Sequence, residues 1–299
     1  MDQFETDFFK QAEHPLHGVQ PYKIGTTKPE TDLPYTLGVS VKTIPDFTMP
    51  IAPAWEFIDQ GARYKTHFAL QKINGHWTLY VECQGKGTFT YYDDEIHIEW
   101  VSGTGPDHYF QSIGLAIWLE MKGVICIHGN ALTLKNKTLL IVGPSGIGKS
   151  TTCLKLAKIG GEILTDDMTA IYSSLEETIV YPSWNKLRLW PDSSELITTR
   201  CKIKKIKKVH NSFNKLEYNF HNHTYKAPLH EILFLEREGY EKSNDMGNFI
   251  LNMIGNSIIG DIPKCFNIEK ERVTAIINIL TAMFTKKTSS AALIEESLK

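Results

Sequence analysis

The chain has 299 residues, of which 42% are hydrophobic and 22% charged, with a formal net charge of -2. That length and composition suit one large globular domain or two ordinary ones and exclude a disordered or low-complexity chain. The near-neutral charge excludes a broadly basic surface, so no nucleic-acid partner is expected.

The N-terminal MDQFETDFFK is acidic and lacks a signal-peptide core. Five scattered cysteines (Cys83, Cys126, Cys153, Cys201, Cys265) include no C-x-x-C pair, which points to a reducing, cytoplasmic setting. Residues 1–34 are polar and punctuated by proline, and read as an extended arm. From Tyr35 to Gly103, short alternating runs recur between turn signals such as Asn74-Gly75 and Asp93-Asp94. These predict a β-rich module of hairpins. Asp107 to Met121 reads as a helix with one apolar face, closed by Lys122-Gly123. The most apolar stretch, Ile113–Ile127, is broken by Glu120, Lys122 and Gly123 and is too short to span a bilayer, so no membrane partner is expected.

Two apolar runs then flank Lys135-Asn136-Lys137, which predicts a hairpin leading into GPSGIGKS. Gly143, Gly148, Lys149 and Ser150 fit G-x-x-x-x-G-K-[ST]. Glycines with positive φ let successive N–H groups turn inward as an anion cradle, and the helix that follows adds a partial positive charge. Lys149 then adds a full charge near the outer phosphates, and the Ser150 hydroxyl can ligate Mg²⁺. The candidate nucleotide-binding residues are Gly143, Ser145, Gly146, Ile147, Gly148, Lys149, Ser150 and Thr151. A buried-strand pattern precedes the loop at Thr138–Val142, and a helical pattern follows it over Thr151–Ile159.

A short strand, Glu162–Thr165, delivers Asp166-Asp167 only 16 residues after Ser150. Paired carboxylates beside a triphosphate can hold Mg²⁺ and take a proton from an attacking hydroxyl. His128, at the end of Gly123–Ile127, can approach the outer phosphate if that strand pairs with the one feeding the loop; a structural histidine is the alternative. Further strands are expected at Thr169–Ser173, Thr178–Tyr181 and His230–Glu236, and helices at Asn248–Ile259 and Glu271–Phe284.

The order His128-Gly129-Asn130, Gly143–Ser150, then Leu164-Thr165-Asp166-Asp167 resembles the catalytic domain of HPr kinase/phosphorylases over residues 123–170. That family carries H-G, G-P-S-G-x-G-K-S and A-D-D at similar spacings. The resemblance implies an α/β kinase domain of the type shared with phosphoenolpyruvate carboxykinase, here preceded by the β-rich module. It also implies ATP- and Mg²⁺-dependent phosphorylation of a serine hydroxyl. It maps the base onto Asp166, metal roles onto Ser150 and Asp167, and the histidine near the transferred group onto His128. The family's E-x-R-G-L-G stretch is absent. In its place Tyr181–Asp192 resembles the P-x-Y-P-x-L-R-L-W-P-D pattern of HPr-kinase-like proteins encoded beside lasso-peptide precursors. This implies a ribosomal precursor peptide as acceptor, typically at its C-terminal serine, and is compatible with a homo-oligomer.

The expected division is 1–105 as arm and β-rich module, with a substrate-recognising role open to it, and 106–299 as the ATP-binding domain. RCKIKKIKK (200–208) reads either as a solvated edge or as a wall for an anionic peptide end, with Arg188 and Arg200 as candidate grips; Arg188 can equally pair with an acid at a strand end. Trp184 and Trp190 read as packing residues. His221, His223 and His230 match no complete zinc spacing. Two other readings stay open. One is a nucleotide-binding sensor without catalysis. The other is an HPr-type kinase/phosphorylase or small-molecule serine kinase.

Overall fold

The computed structural model describes residues 2–60, 65–174, 176–194, 197, 204–210, 213–220, 226–237 and 245–298. It is a mixed α/β protein with a sheet-rich N-terminal part.

The first segment departs from the extended arm expected of it. Helix α1 (Gln3–Ala12) is capped by Asp2, whose carboxylate accepts from the N–H groups of Phe4 and Glu5. Phe4, Phe8 and Ala12 recur every four residues, and Phe8 and Ala12 are buried. That stripe is narrow enough to be hidden among polar neighbours. Strand β1 (Val19–Lys23) then joins a seven-stranded sheet with β2 (Tyr35–Thr43), β3 (Trp55–Asp59), β4 (Thr66–Ile73), β5 (His76–Glu82), β6 (Gly85–Tyr91) and β7 (Glu95–Gly103). The order is β1-β2-β7-β6-β5-β4-β3. The run from β3 to β7 is built of hairpins as expected, with Asn74 and Gly75 both at positive φ between β4 and β5. The pairings β1–β2 and β2–β7 are parallel.

His17, just before β1, is fully buried at φ 51°. Neither ring nitrogen makes a well-formed hydrogen bond, and the nearby Tyr181 main chain offsets little of the burial. Burial lowers its pKa from 6.5 to about 3. The unfolded chain therefore binds a proton below pH 6.5 that the folded chain refuses, so stability falls as pH falls through that window. The expected loss between pH 6.5 and 5 is up to about 2 kcal/mol. Urea unfolding at the two pH values measures it. His17→Asn, which tolerates the left-handed backbone, should flatten the dependence; an unchanged slope assigns it to other groups.

The expected single helix over 107–121 is two pieces. Helix α2 (Pro106–Tyr109) and helix α3 (Leu115–Met121) are joined by a kinked turn at Phe110–Gly114, where Ser112 leaves helical angles. Leu115 to Glu120 are all buried, because α3 lies within the largest core, between the seven-stranded sheet and Cys126, Met168 and Ala170. A helix buried all round has no single apolar face. Gly123, at φ 83°, closes it as expected.

Next come β8 (Ile125–Ile127), β9 (Gly129–Leu134), β10 (Lys137–Val142), α4 (Lys149–Lys158), β11 (Glu162–Ile163), β12 (Thr169–Ser173), β13 (Thr178–Val180), β14 (Lys186–Leu189) and α5 (Pro191–Ser194). Then follow β15 (Lys204–His210), β16 (Phe213–Asn219), β17 (Ala227–Pro228), β18 (Glu231–Leu235), α6 (Met246–Gly255), α7 (Pro263–Phe266), α8 (Glu269–Ala282), β19 (Phe284–Thr288) and α9 (Ser290–Leu298). The expected hairpin before the loop is β9–β10, turning on Lys135 and Asn136, both at positive φ. A five-stranded sheet, β11-β9-β10-β18-β19, carries the loop strand β10 beside its parallel neighbour β18. A four-stranded sheet, β17-β13-β12-β8, faces it, and β14-β16-β15 form a third. Among the described residues no helix is long and apolar enough to cross a membrane.

Candidate active site

Strand β10 ends at Val142, the chain turns through residues 143–148, and α4 begins at Lys149. Gly146 (φ 80°) and Gly148 (φ 104°) take the left-handed conformation expected of such a loop, and no atom lies within 4 Å of where either would carry a Cβ. The loop is therefore open at these positions. Pro144 to Gly146 are exposed, whereas the Lys149 side chain is buried and folds back. Its ammonium donates to the carbonyls of Gly143 (2.8 Å) and Pro144 (3.3 Å). Thr151 shares a hydroxyl hydrogen bond with Ser193 at 2.8 Å, which ties the start of α4 to α5.

The two aspartates sit where β11 hands over to β12. Thr165 holds this corner: its hydroxyl accepts from Ala131 N–H at 2.7 Å and meets Thr169 at 2.6 Å, and Thr169 donates to Gly129 O. The Ser150 hydroxyl donates to Asp166 Oδ1 at 2.8 Å. On the other side, Arg188 N–H donates to Asp166 Oδ2 at 2.8 Å. Asp167, at φ 64°, turns its carboxylate toward the Arg188 guanidinium, 3.5 Å away. Loop serine, Asp166, Asp167 and Arg188 are thus brought to one corner, while the loop lysine is held on its own loop's carbonyls.

His128 stands at the switch between sheets, after β8, which pairs with β12, and before β9, which pairs with β10. The strand that leads into His128 therefore does not pair with the loop strand, the condition set for its approach to the outer phosphate; the strand that does pair begins one residue after the histidine. Its N–H donates to Asn256 O at 2.7 Å, which anchors its main chain to the end of α6. Arg200 lies outside the described residues, as do His221 and His223. His230 accepts from Thr138 N–H through Nδ1. The backbone of Lys204–His210 forms an edge strand. Trp184 packs as expected, stacked on Phe110 with its Nε1–H donated to His14 O.

Two features had no role assigned from the sequence. Asn130 is fully buried, and its amide donates to Asp166 Oδ1 (2.6 Å) and lies 3.3 Å from Ser150 Oγ. Only its place after His-Gly at a strand start marked it. The second is a charge network: Lys186 lies between Asp107 (3.5 Å) and Glu217 (3.8 Å), and Arg188 between Asp167 and Glu217 (3.9 Å). Alternation along β14 and β16 brings these ends together, a register with no local signature.

The donor set fits a hard divalent cation. Serine, carboxylate and amide oxygens are the ligand types Mg²⁺ takes, and Asn130 Oδ1 is buried without a hydrogen-bond partner. Among the described residues no group of three or more His, Cys, Asp or Glu side chains is placed to hold a metal ion, so a cation here would take serine and amide oxygens beside the carboxylates.

Comparison with known proteins gives partial likenesses. A stretch of 54 residues is 44% identical to the HPr kinase/phosphorylase of Pediococcus pentosaceus, covering 18% of this chain and 17% of the relative. Another of 65 residues is 38% identical to that of Lachnoclostridium phytofermentans, 21% of each chain. One of 78 residues is 33% identical to that of Streptococcus pyogenes serotype M5, 26% of this chain and 22% of the relative. The matches thus span about a fifth of the length of these curated relatives. Among solved structures, the HPr(Ser) kinase/phosphatase from Coxiella burnetii aligns with a TM-score of 0.27 at 18% identity, over 41% of this chain and 67% of that one. No family model matches. The likeness is therefore to a segment of a kinase/phosphorylase family.

Proposed function

We propose that this protein is a cytoplasmic, ATP- and Mg²⁺-dependent kinase that phosphorylates a serine hydroxyl of a peptide. The acceptor of first choice is the C-terminal serine of a ribosomal lasso-type precursor. The observation that carries this reading is the meeting of Ser150, Asp166 and Asn130 beside an open glycine loop.

Bound Mg²⁺–ATP would supply the transferable phosphoryl group and the compensation of its charge. The chain's residues do the rest. The N–H groups of Ser145 to Ser150 and the start of α4, with Gly143 and Thr151 at its flanks, hold the phosphates. Lys149 exchanges its carbonyl partners for phosphate oxygens. Ser150 and Asp167 hold the cation. Asp166, whose Oδ2 accepts from Arg188 N–H, takes the hydroxyl proton as the base. His128 lends a hydrogen bond to the transferring group, and Arg188 and Arg200 steer the acceptor's anionic end. Residues 1–105 serve as the recognition module and residues 106–299 as the catalytic domain.

Incubation with ATP, Mg²⁺ and candidate peptides should give a gain of about 80 Da on a serine, the mass of one phosphoryl group. Lys149→Ala should weaken nucleotide binding about ten- to a hundredfold, since it removes a charged partner of the phosphates worth about 1.5–3 kcal/mol. Unchanged affinity in calorimetry overturns the loop pose. The segment likeness favours a second reading, an HPr-type protein as acceptor, which the same assay separates by substrate. Nucleotide binding without transfer to any acceptor would leave a sensor.

A further inference from the structure

We propose that Asn130 is a cation ligand: its side-chain amide turns over when a metal enters, so that Asn130 Oδ1, Ser150 Oγ and Asp166 Oδ1 form one face of an Mg²⁺ site. The inference rests on the Mg²⁺–nucleotide reading above and adds a ligand to it.

Asn130 is the first side chain of β9 after its opening glycine, and it is fully buried. Its neighbour Gly129 cannot carry a side chain without pressing on Ile141 O, 2.9 Å from a Cβ there. The hairpin register pairs Asn130 with Ile141. Its backbone is therefore fixed, and the freedom left is rotation of the terminal amide. In the metal-free arrangement the NH₂ end faces a carboxylate oxygen and a hydroxyl, the only sensible choice beside an anion. The consequence is that Oδ1 points into buried space without a partner. A buried amide oxygen left unsatisfied is unfavourable, and among the described residues none supplies the missing donor.

A cation at this corner reverses the preference. Ser150 Oγ and Asp166 Oδ1 become ligands, an NH₂ pointed at the metal is repelled, and a half-turn of the amide presents Oδ1 instead. Asn130 Nδ2, Asp166 Oδ1 and Ser150 Oγ already stand 2.6, 2.8 and 3.3 Å apart, and a half-turn of the amide puts Oδ1 where Nδ2 stands. Neighbouring ligands of an octahedral ion with bonds of 2.0–2.1 Å lie about 2.9 Å apart, a spacing this triangle can meet. It also gives Asp166 two faces: Oδ1 toward the metal, and Oδ2 toward Arg188 and the acceptor.

The test uses the full chain saturated with a non-hydrolysable ATP analogue and reads its thermal stabilisation against free Mg²⁺, so no phosphoryl transfer is needed. Asn130→Ala should raise the half-saturating Mg²⁺ concentration about tenfold or more, by analogy with other losses around metal sites. Its affinity for the analogue without metal should stay within about threefold of the parent's. Asn130→Asp, which keeps a hard oxygen at the same reach, should hold or lower the Mg²⁺ requirement. A parent-like Mg²⁺ requirement in Asn130→Ala, or an equal rise in Asn130→Asp, overturns the assignment while leaving the kinase reading in place. If Asn130→Ala does not fold, the Asn130→Asp result decides. Failure of the parent protein to bind the analogue at any Mg²⁺ concentration overturns the nucleotide reading and this site together.

Discussion

Changing Asp166 to asparagine lowers phosphoryl transfer by about 10²–10⁴-fold, the span general-base catalysis contributes, and leaves nucleotide bound. The carboxylate's donors include the Ser150 hydroxyl, the Asn130 amide and Arg188 N–H. An ionised carboxylate accepts all three, but a carboxamide accepts through one oxygen only. Its oxygen would turn to Ser150 and Asn130, leaving its NH₂ facing the Arg188 N–H, donor against donor. The variant therefore loses the proton acceptor on the side where the substrate hydroxyl is expected. It also pays about 1–3 kcal/mol in stability for the unpaired backbone donor. Initial rates by mass spectrometry and nucleotide affinity by calorimetry separate the two effects. Turnover within tenfold of the parent removes Asp166 as the base. Retained turnover with a lost melting temperature assigns it a purely structural role.

What the sequence made legible was local. The left-handed positions at Asn74, Gly75, Lys135, Asn136, Gly146 and Gly148 all fall where residue type demanded a turn. The strand–loop–helix around residue 143 follows from periodicity alone. The short strand and helix after the loop suggest that Asp166 faces it from the neighbouring strand; β9 in fact lies between β11 and the loop strand, and Asp166 meets Ser150 all the same. What stayed hidden is non-local. The parallel pairing of β2 with β7 joins segments more than fifty residues apart, and nothing in TLGVSVK announces its partner. Arg188 was a candidate for its guanidinium, yet the described contact with Asp166 is made by its backbone N–H, a group every non-proline residue has. The helix at Gln3–Ala12 was missed because its apolar stripe is only one residue wide per turn; tertiary burial of Phe8 against Phe110, not propensity, secures it.

The largest stability effect is expected far from the loop, at the buried pair Glu120–Arg272. Arg272 Nε donates to Glu120 Oε2 at 2.8 Å, and both side chains are at most 5% exposed. Burial raises the Glu120 carboxyl above its ordinary value, against the opposing pull of Arg272. The remaining valences are spent on the framework: Glu120 Oε1 accepts from Cys126 N–H, and Arg272 donates to Ser257 Oγ. The pair thus pins α3, β8 and the turn after α6 to α8. Arg272→Met leaves a buried carboxylate with one hydrogen bond and should cost about 3–5 kcal/mol, the range for breaking such a pair from one side. The double variant Glu120→Leu/Arg272→Met removes both charges and should recover part of that loss. Full recovery is not expected, because Cys126 N–H loses its partner and Ser257 Oγ keeps only Ile259 N–H. Urea unfolding of the parent, both single variants and the double variant gives the coupling energy. A cost below about 1 kcal/mol for Arg272→Met would mean the ion pair is not held out of water as described. The same pair has a consequence at the active site. Ser257 adjoins Asn256, whose carbonyl holds His128 N–H, and Cys126 lies two residues before His128 on the same chain. A folded Arg272→Lys variant, keeping charge but not the fork, should therefore slow transfer more than it weakens nucleotide binding. Equal losses in both would place the pair in the fold alone.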